Sequence, residues 1–197
     1  MNYYREDRKK AWGLLILILL DAVCIAISYQ LGITRDTATM LGSFASIAVC
    51  AIVCALFKVK DSLYYALLVF VFMASPLGSV IDLYRSIGPY DKIVHVYSGF
   101  LLVAFGMLLI DFVFHISTDE ENLDRFIIPM IFAAFFFSSA SAGIWEIFEF
   151  TADRLAGGTM QRGMVDTVTD MIAGNIGALL YAVPLLIKNK EHIRAKK

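Results

Sequence analysis

The chain contains six long runs of mostly apolar residues, and this pattern limits its fold more than any other feature. A helix needs about 20 such residues to cross the hydrocarbon layer of a membrane, because every backbone donor and acceptor must be satisfied within the segment. Short polar connectors separate the runs. We therefore predict an all-α, polytopic membrane helix bundle of about six transmembrane helices. They cover approximately residues 11–31, 38–57, 63–81, 93–114, 126–150 and 165–187.

The overall composition agrees with this class. Hydrophobic residues make up 59% of the 197 residues and charged residues only 18%, whereas ordinary soluble domains are about 25% charged. The formal net charge of −1 gives no basic surface for nucleic acid, so nucleic-acid binding is set aside. Cys24, Cys50 and Cys54 lie inside apolar runs, without the spacing of a disulfide framework or a zinc ribbon.

The domain organisation and orientation follow from the placement of the spans. We expect residues 1–197 to form a single transmembrane domain, with three N-terminal helices in 1–89, a core in 90–187 and a basic tail in 188–197. Cytoplasmic loops carry an excess of Lys and Arg, and twelve of the seventeen cationic residues fall on the side of the two termini. Both termini are therefore expected in the cytoplasm. The first span is too long for a signal peptide and lacks a cleavage site, which indicates a retained helix.

Glycine, proline and small residues mark the irregular places in this bundle. Gly88-Pro89 and Gly157-Gly158 predict turns in the third and fifth connectors. Pro76 predicts a kink in the third span. The small residues at 138–143 give the fifth span a face on which a neighbouring helix can pack closely.

Seven ionisable residues gather toward one end of the fourth, fifth and sixth spans. Such side chains cost a few kcal/mol each at membrane depth, so a cluster of them favours a functional site. Their spacing of three or four residues gives each of three helices one polar face. We expect these faces to meet in a polar pocket on the extracytoplasmic side, with Gly174 and Gly177 allowing close approach. The seven residues are Asp91, His95, Glu146, Glu149, Asp153, Asp166 and Asp170.

So many carboxylates around one imidazole cannot all be ionised in a confined site without a compensating cation. Either several are protonated or a divalent metal lies among them. Oxygen-rich ligation favours Ca²⁺, Mg²⁺ or Mn²⁺ as the cofactor, and no other cofactor is expected. His95 is then a candidate general base, with Lys92 or Arg162 positioned to meet a phosphate.

Simpler structural explanations exist for most of these acids. Asp91 and Asp153 each adjoin a basic residue and could be solvated helix ends, and Asp166 and Asp170 near a helix N-terminus are favoured by the helix dipole alone. The Glu-x-x-Glu pair of the fifth span is harder to explain in this way, because it lies in an otherwise lipophilic turn. Two acids away from the cluster, Asp21 and Asp111, are interpreted as structurally paired or snorkelling side chains.

The polar motifs taken together resemble a known family. The segment Tyr90-Asp91-Lys92-Ile93-Val94-His95, the Glu-x-x-Glu pair, Asp166-Thr167 and the run from Asp170 to Gly177-Ala178 are similar to the YjdF-like family of bacterial membrane proteins and, more distantly, to VanZ. The resemblance covers about residues 90–180. It implies a membrane-embedded core grouped with the lipid-modifying proteins of the Lipocone superfamily, which include base-exchange phosphatidylserine synthases. Those relatives use histidine and acidic residues, with a metal, on phospholipid head groups.

The resemblance also implies roles for single residues, with His95 as the base and the acids as metal or catalytic positions. The candidate assignment that results has three sets. The catalytic set is His95, Asp91 and Glu149; the metal-ligating set is Glu146, Glu149, Asp153, Asp166 and Asp170; the substrate-binding set is Lys92, Gln161, Arg162 and Asn175.

The leading functional hypothesis is an enzyme in the bacterial cytoplasmic membrane. It would act on a phospholipid or a lipid-linked cell-envelope precursor, by metal-assisted hydrolysis or transfer of the head group. The alternative is a cation- or proton-binding transporter, or a binding protein without enzymatic activity, that uses the same acids. A weaker hypothesis is a structural partner protein. Membrane lipid is the expected partner, and a homo-oligomer is left open.

Overall fold

The computed structural model of the protein describes residues 2–33, 36–116, 120–158 and 160–195, with side chains for residues 8–33, 36–116, 123–158 and 160–193. This part of the chain is helical and contains no strand. The elements are α1 (Asn2–Leu31), α2 (Thr37–Leu56), α3 (Asp61–Phe72), a π-helical segment (Met73–Val80) that continues α3, α4 (Leu83–Ser86), α5 (Tyr90–Phe114), α6 (Glu120–Ala156) and α7 (Met164–Ala195).

Six segments of the described chain are long and apolar enough to cross a membrane. This confirms the predicted all-α class with six spans, whereas the cytoplasmic placement of the termini stays a prediction. The fifth and sixth segments extend further than predicted, because polar turns with good helix formers continue both helices beyond their apolar stretches. The six segments are Arg8–Leu31, Thr37–Leu56, Asp61–Val80, Tyr90–Phe114, Leu123–Ala156 and Met164–Ile193.

The chain forms two compact units, Met1–Val94 and His95–Lys197, and the division falls within α5. In the first unit, α1, α2, α3 and the π-helical segment pack against one another. In the second unit, α6 and α7 pack along each other, together with the part of α5 that follows Val94.

Helix α1 contributes one narrow stripe to the core of the first unit. Leu17, Asp21, Cys24 and Ser28 are between 0% and 8% exposed, and they recur every three or four residues, which places them on one helix face. Two members of this stripe are polar and fully buried. The apolar residues on the other faces of α1 are largely exposed, as expected for a helix in contact with lipid.

The third span changes from α-helical to π-helical hydrogen bonding around Pro76. Proline has no N–H to donate and its ring displaces the preceding carbonyl, so the regular α-helical pattern cannot continue through it. The hydroxyls of Ser28 and Tyr90 donate to the carbonyl oxygens of Val80 and Met73, at 2.8 and 2.7 Å. These bonds satisfy carbonyl groups at both ends of the segment. The irregularity at Pro76 is thus π-helical bonding, and the kink stays a prediction.

The two predicted turns lie at helix boundaries, and a cap residue that the sequence analysis did not single out begins α2. Gly88-Pro89 forms the turn before α5. Helix α6 ends before Gly157, whose φ of 70° favours glycine. Asp36 caps the N-terminus of α2, and hydrogen bonds from the Thr39 hydroxyl, the Thr39 N–H and the Ala38 N–H hold the pKa of the Asp36 carboxyl below its usual range.

Small residues let the helices of the second unit approach closely. The buried core includes Val103, Ile131 and Ala134. Ser138 is 1% exposed, and its Oγ donates a 3.0 Å hydrogen bond to the carbonyl oxygen of Gly99 on α5. The predicted small-residue face of the fifth span is therefore confirmed as a packing surface.

Candidate functional site

The second unit brings one histidine and one aspartate together within membrane-spanning segments. The Nε2 atom of His95 on α5 lies 3.7 Å from Oδ1 of Asp170 on α7. The side chains are 11% and 2% exposed, respectively. An imidazole and a carboxylate at this distance interact strongly when little water separates them, because the effective dielectric constant of such a site is low.

Close approach of α5 and α7 produces this pairing. A Cβ atom added at Gly99 would lie 1.9 Å from the carbonyl oxygen of Gly174, and one added at Gly177 would lie 1.8 Å from that of Val96. The two backbones are thus in direct contact, as in other membrane helix pairs with small residues at the interface. Gly99 lies one turn after His95, and Gly174 lies one turn after Asp170. The predicted role of Gly174 and Gly177 in close packing is confirmed.

The helical stripes of α5 and α7 determine which side chains face this contact. His95 and Gly99 share a face of α5, and Asp170, Gly174 and Gly177 share a face of α7. The glycines of both helices are at the contact, so the polar residue one turn earlier on each helix is turned toward the other helix. The backbone carbonyl oxygen of His95 accepts a 2.8 Å hydrogen bond from the Ser98 hydroxyl on the same helix.

Asp91 lies one helical turn before His95 on α5, and Lys92 lies three residues before it. Asp91 is 8% exposed, and its Oδ2 lies 3.4 Å from Nζ of Lys92. Asp91 is therefore paired with the basic residue that follows it, as expected, but its burial contradicts the explanation of Asp91 as a solvated helix end. The spacing of Asp91 from His95, one helical turn, is compatible with the predicted catalytic role, which stays a prediction.

The two glutamates of α6 differ in their surroundings. Glu146 is 5% exposed. Glu149 is partly buried, and its Oε1 accepts a 2.9 Å hydrogen bond from the indole N–H of Trp145, one turn earlier on the same exposed face. One member of the Glu-x-x-Glu pair therefore lies in the interior, and the other contacts an aromatic residue at the surface.

Asp153 organises the connector between α6 and α7. Its two carboxylate oxygens accept hydrogen bonds from the backbone N–H groups of Met160 and Gln161, at 2.9 and 2.8 Å. The amide of Gln161 in turn donates to the Thr167 hydroxyl at 3.0 Å. These contacts give Asp153 and Gln161 a structural explanation that the sequence did not suggest, because the loop conformation cannot be read from spacing.

The first turns of α7 contain a further ion pair. Nε of Arg162 lies 3.1 Å from Oδ2 of Asp166, and the side chains are 40% and 17% exposed. Asn175, deeper in α7, donates to the carbonyl oxygen of Met171 on its own helix at 2.8 Å. A phosphate at Arg162 would therefore compete with the Asp166 carboxylate for the guanidinium group.

His95 and Asp170, two of the seven predicted site residues, come from different helices and lie together. Within the described ranges, no group of three closely spaced metal-ligating side chains includes Glu146, Glu149, Asp153 or Asp166. The seven-residue pocket stays a prediction. The assignment of a metal to the larger set stays a prediction.

One buried acid lies outside this set. Asp21 is 0% exposed and accepts a 2.7 Å hydrogen bond from the Ser43 hydroxyl on α2. The interpretation of Asp21 as a paired side chain is confirmed, and the snorkelling alternative is wrong for it, because a snorkelling side chain reaches water. The recurrence of Asp21 with Leu17, Cys24 and Ser28 at helical spacing was the available signal. Asp111, by contrast, is partly exposed.

The six spans, with buried polar groups between packed helices, define a polytopic helical membrane protein. The chain belongs to the family of predicted membrane proteins DUF2238, whose family model matches residues 12–191. A protein of Thermotoga maritima, described as uncharacterized, is 30% identical over 113 residues, which cover 57% of this chain and 55% of that protein. The chain thus spans about half of the length of this curated relative. No solved structure matches the chain.

Proposed function

We propose that this protein is a membrane-embedded enzyme that hydrolyses or transfers the head group of a phospholipid or of a lipid-linked cell-envelope precursor. The observation that carries the proposal is the pair of His95 and Asp170, whose side chains are 11% and 2% exposed and lie 3.7 Å apart on two packed membrane helices. Burying two ionisable groups in this way is costly, and at membrane depth such groups are typical of function. The resemblance to the YjdF-like and VanZ-like proteins supports the lipid substrate class.

His95 acts as the general base in this proposal. Its imidazole takes a proton from a water molecule or a head-group hydroxyl as the oxygen of that nucleophile attacks the phosphorus atom of the lipid. Asp170 is the positioning residue, because its carboxylate fixes the orientation of the ring and stabilises the imidazolium form. Asp91, one turn before His95, is proposed to support the same site. The proton passes to the departing oxygen when the bond from phosphorus to the leaving group breaks.

The donor set is compatible with a divalent metal. The carboxylate of Asp170 would hold such an ion, whereas the imidazole of His95, whose Nε2 lies 3.7 Å from Oδ1 of Asp170, is kept for proton transfer. Carboxylate ligation of this kind suits each of the three expected ions, Ca²⁺, Mg²⁺ and Mn²⁺. A bound divalent cation would neutralise charge on the phosphate.

The substrate side of the proposal rests on cationic and polar residues around α5 and α7. Arg162 is 40% exposed and is suited to exchange Asp166 for a lipid phosphate, since guanidinium groups bind phosphate by two hydrogen bonds. Lys92, Gln161 and Asn175 are proposed to complete the binding of the head group. We propose that this end of the spans lies at the outer side of a bacterial cytoplasmic membrane, and the excess of Lys and Arg beside the termini supports this orientation.

The test is head-group release from phospholipid vesicles that contain the purified full-length protein. Mass spectrometry of the released head groups measures turnover in the wild type and in His95→Gln and Asp170→Asn. Loss of a general base lowers rates by about 10²–10⁴-fold, so we expect His95→Gln to fall by at least the lower figure and Asp170→Asn to fall less. Correct folding of each variant is checked by its thermal unfolding.

The chain offers a matched control in a second histidine–aspartate pair. Nε2 of His192 also lies 3.7 Å from Oδ1 of Asp124, but these side chains are 55% and 31% exposed. His192→Gln should retain turnover. Full activity of folded His95→Gln and Asp170→Asn would refute the proposal, and uptake of protons or cations into the vesicles without head-group release would favour the transporter alternative.

The metal is tested separately by elemental analysis of the purified protein after equilibration with Mn²⁺. Asp170→Asn should lose the bound ion, whereas Asp153→Asn, whose carboxylate is engaged by the connector backbone, should keep it. Equal metal content in the wild type and Asp170→Asn would contradict this ligand assignment.

A further inference from the structure

The first unit contains a buried carboxyl group that the proposed function does not use. Asp21 is 0% exposed, and Ser43, which donates to its Oδ1 at 2.7 Å, is 1% exposed. The other oxygen, Oδ2, is buried and has no hydrogen-bond partner within the described chain. One oxygen of Asp21 therefore accepts a hydrogen bond from α2, and the other lies in the interior of the first unit without a hydrogen-bond partner in the described chain.

The buried titratable groups described on the helices of this unit provide no compensating charge. Among the described side chains of α1, α2 and α3, the other buried titratable groups are Cys24, Cys54 and Tyr64, which are uncharged at neutral pH in the ordinary case. The π-helical segment, MASPLGSV, has no titratable side chain.

Lys10, a partly buried cation of this unit, is engaged elsewhere. Nζ of Lys10 lies 2.9 Å from Oδ1 of Asp61 and donates to the Val59 carbonyl at 2.8 Å. Lys10 precedes Asp21 by eleven residues on α1, which corresponds to about 16 Å along the helix axis. Across a separation of this size it does not neutralise a charge on Asp21.

We propose that Asp21 is a proton-binding site of the first unit, which holds a proton on Oδ2 while α1 and α2 are packed and releases it when water reaches their contact. A neutral carboxyl group with one unsatisfied hydroxyl costs far less in a membrane interior than a carboxylate with no cation beside it. Closed packing thus requires the protonated form, and opening permits ionisation. This site is independent of His95 and Asp170 and of the activity proposed for them.

A proton fits this site better than a metal cation does. Hard cations take about six oxygen ligands. The side-chain oxygens in contact with each other at this site are Oδ1 of Asp21 and Oγ of Ser43. The hydroxyls of Ser28 and Ser46, which flank the pair along α1 and α2, are directed to the backbone carbonyls of Val80 and Ser43.

Infrared spectroscopy of the full-length protein in lipid vesicles tests the proposal. Protonated carboxyl groups give a C=O stretching band that is separate from the bands of carboxylates, and labelling with ¹³C-aspartate shifts the bands that arise from Asp. At neutral pH the wild type should show such a band, Asp21→Asn should lose it, and the exposed cap variant Asp36→Asn should retain it.

A second variant keeps the test decisive if Asp21→Asn does not fold. Ser43→Ala removes the hydrogen bond to Oδ1 and should move the Asp21 band to higher frequency in the folded protein. The proposal is overturned if the wild type shows no Asp band, if neither variant changes it, or if adding Na⁺ to a sodium-free sample abolishes it, since the last result would identify a metal cation as the ligand.

Discussion

The backbone contact between α5 and α7 makes Gly99 the most sensitive position in the second unit. In Gly99→Ala, the added Cβ would lie 1.9 Å from the carbonyl oxygen of Gly174. Ordinary van der Waals contact begins at 3.4 Å, so the two helices would have to separate by roughly 1.5 Å locally. No flexible side chain lies at this point to absorb the strain, because both contacting groups belong to the backbone.

The expected cost follows from this geometry. Overpacking of a well-packed interior costs about 1–3 kcal/mol, and a contact between two backbones belongs at the upper end, about 3 kcal/mol. Alanine recovers about 1 kcal/mol over glycine within a helix. The net destabilisation is therefore about 2 kcal/mol, which corresponds to a change of roughly 30-fold in the unfolding equilibrium.

The assay is reversible unfolding of the full-length protein in mixed micelles with increasing SDS, followed by circular dichroism. Gly42→Ala is the matched control, because Gly42 is also helical but has nothing within 4 Å of an added Cβ. This control should gain up to about 1 kcal/mol from helix propensity. If Gly99→Ala is as stable as Gly42→Ala, the direct backbone contact between α5 and α7 does not exist and the explanation for the approach of His95 to Asp170 fails.

Three further predictions concern other contacts. Ser138→Ala removes a buried 3.0 Å hydrogen bond to an α5 carbonyl and should cost about 0.5–1.5 kcal/mol in the same SDS titration. Thr39→Val should raise the pKa of Asp36 toward its usual range, as measured by an NMR titration. Because the pKa of this carboxyl is lower in the folded state, the stability that the Asp36 cap contributes is fully present above the unfolded-state pKa. It is lost as the pH falls through the folded-state pKa. Asp153→Ala should speed hydrogen exchange at the backbone amides of residues 160 and 161, because these N–H groups donate hydrogen bonds to the Asp153 carboxylate.

Each of these three predictions has a neighbouring control or a result that contradicts it. Ser141→Ala, which removes a 2.8 Å hydrogen bond to the Phe137 carbonyl of its own helix, should cost less than Ser138→Ala. An unchanged Asp36 titration in Thr39→Val would mean that the hydroxyl does not hold the carboxylate. Exchange at residues 160 and 161 that is as slow in Asp153→Ala as in Arg154→Ala would show that other contacts order the connector.

The six spans could be predicted from the sequence because an apolar run of membrane length is a local property of the chain. The close packing at Gly174 and Gly177 could also be predicted, since small side chains expose the backbone of a helix. The sequence did not single out Gly99 and Val96 as the partners in this contact. That information depends on how two helices are rotated and shifted relative to each other, which spacing within one helix does not determine.

The arrangement of the predicted acids shows the same limit. Helical spacing placed Asp166 and Asp170 on one face of α7, yet Asp166 pairs with Arg162 at the start of that helix, and Asp170 lies beside His95. Asp153 is engaged by a connector whose backbone conformation is set by glycines and could not be derived from residue types. Asp21 was visible as an acid in an apolar run, but its partner Ser43 is 22 residues away and becomes apparent only when α1 and α2 are packed.

The π-helical segment of the third span affects how the chain tolerates changes in length. A π turn contains more residues than an α turn, as the bond from the Ile81 N–H to the Pro76 carbonyl, five residues back, illustrates. Deleting Pro76 would remove both one residue and the block to α-helical bonding, while α3 keeps its buried face of Tyr64, Leu68 and Val71. Deleting one residue within α2 would turn every later side chain of that helix by about 100°. The third span is therefore where this bundle can gain or lose a residue over evolution without rotating its interior into lipid.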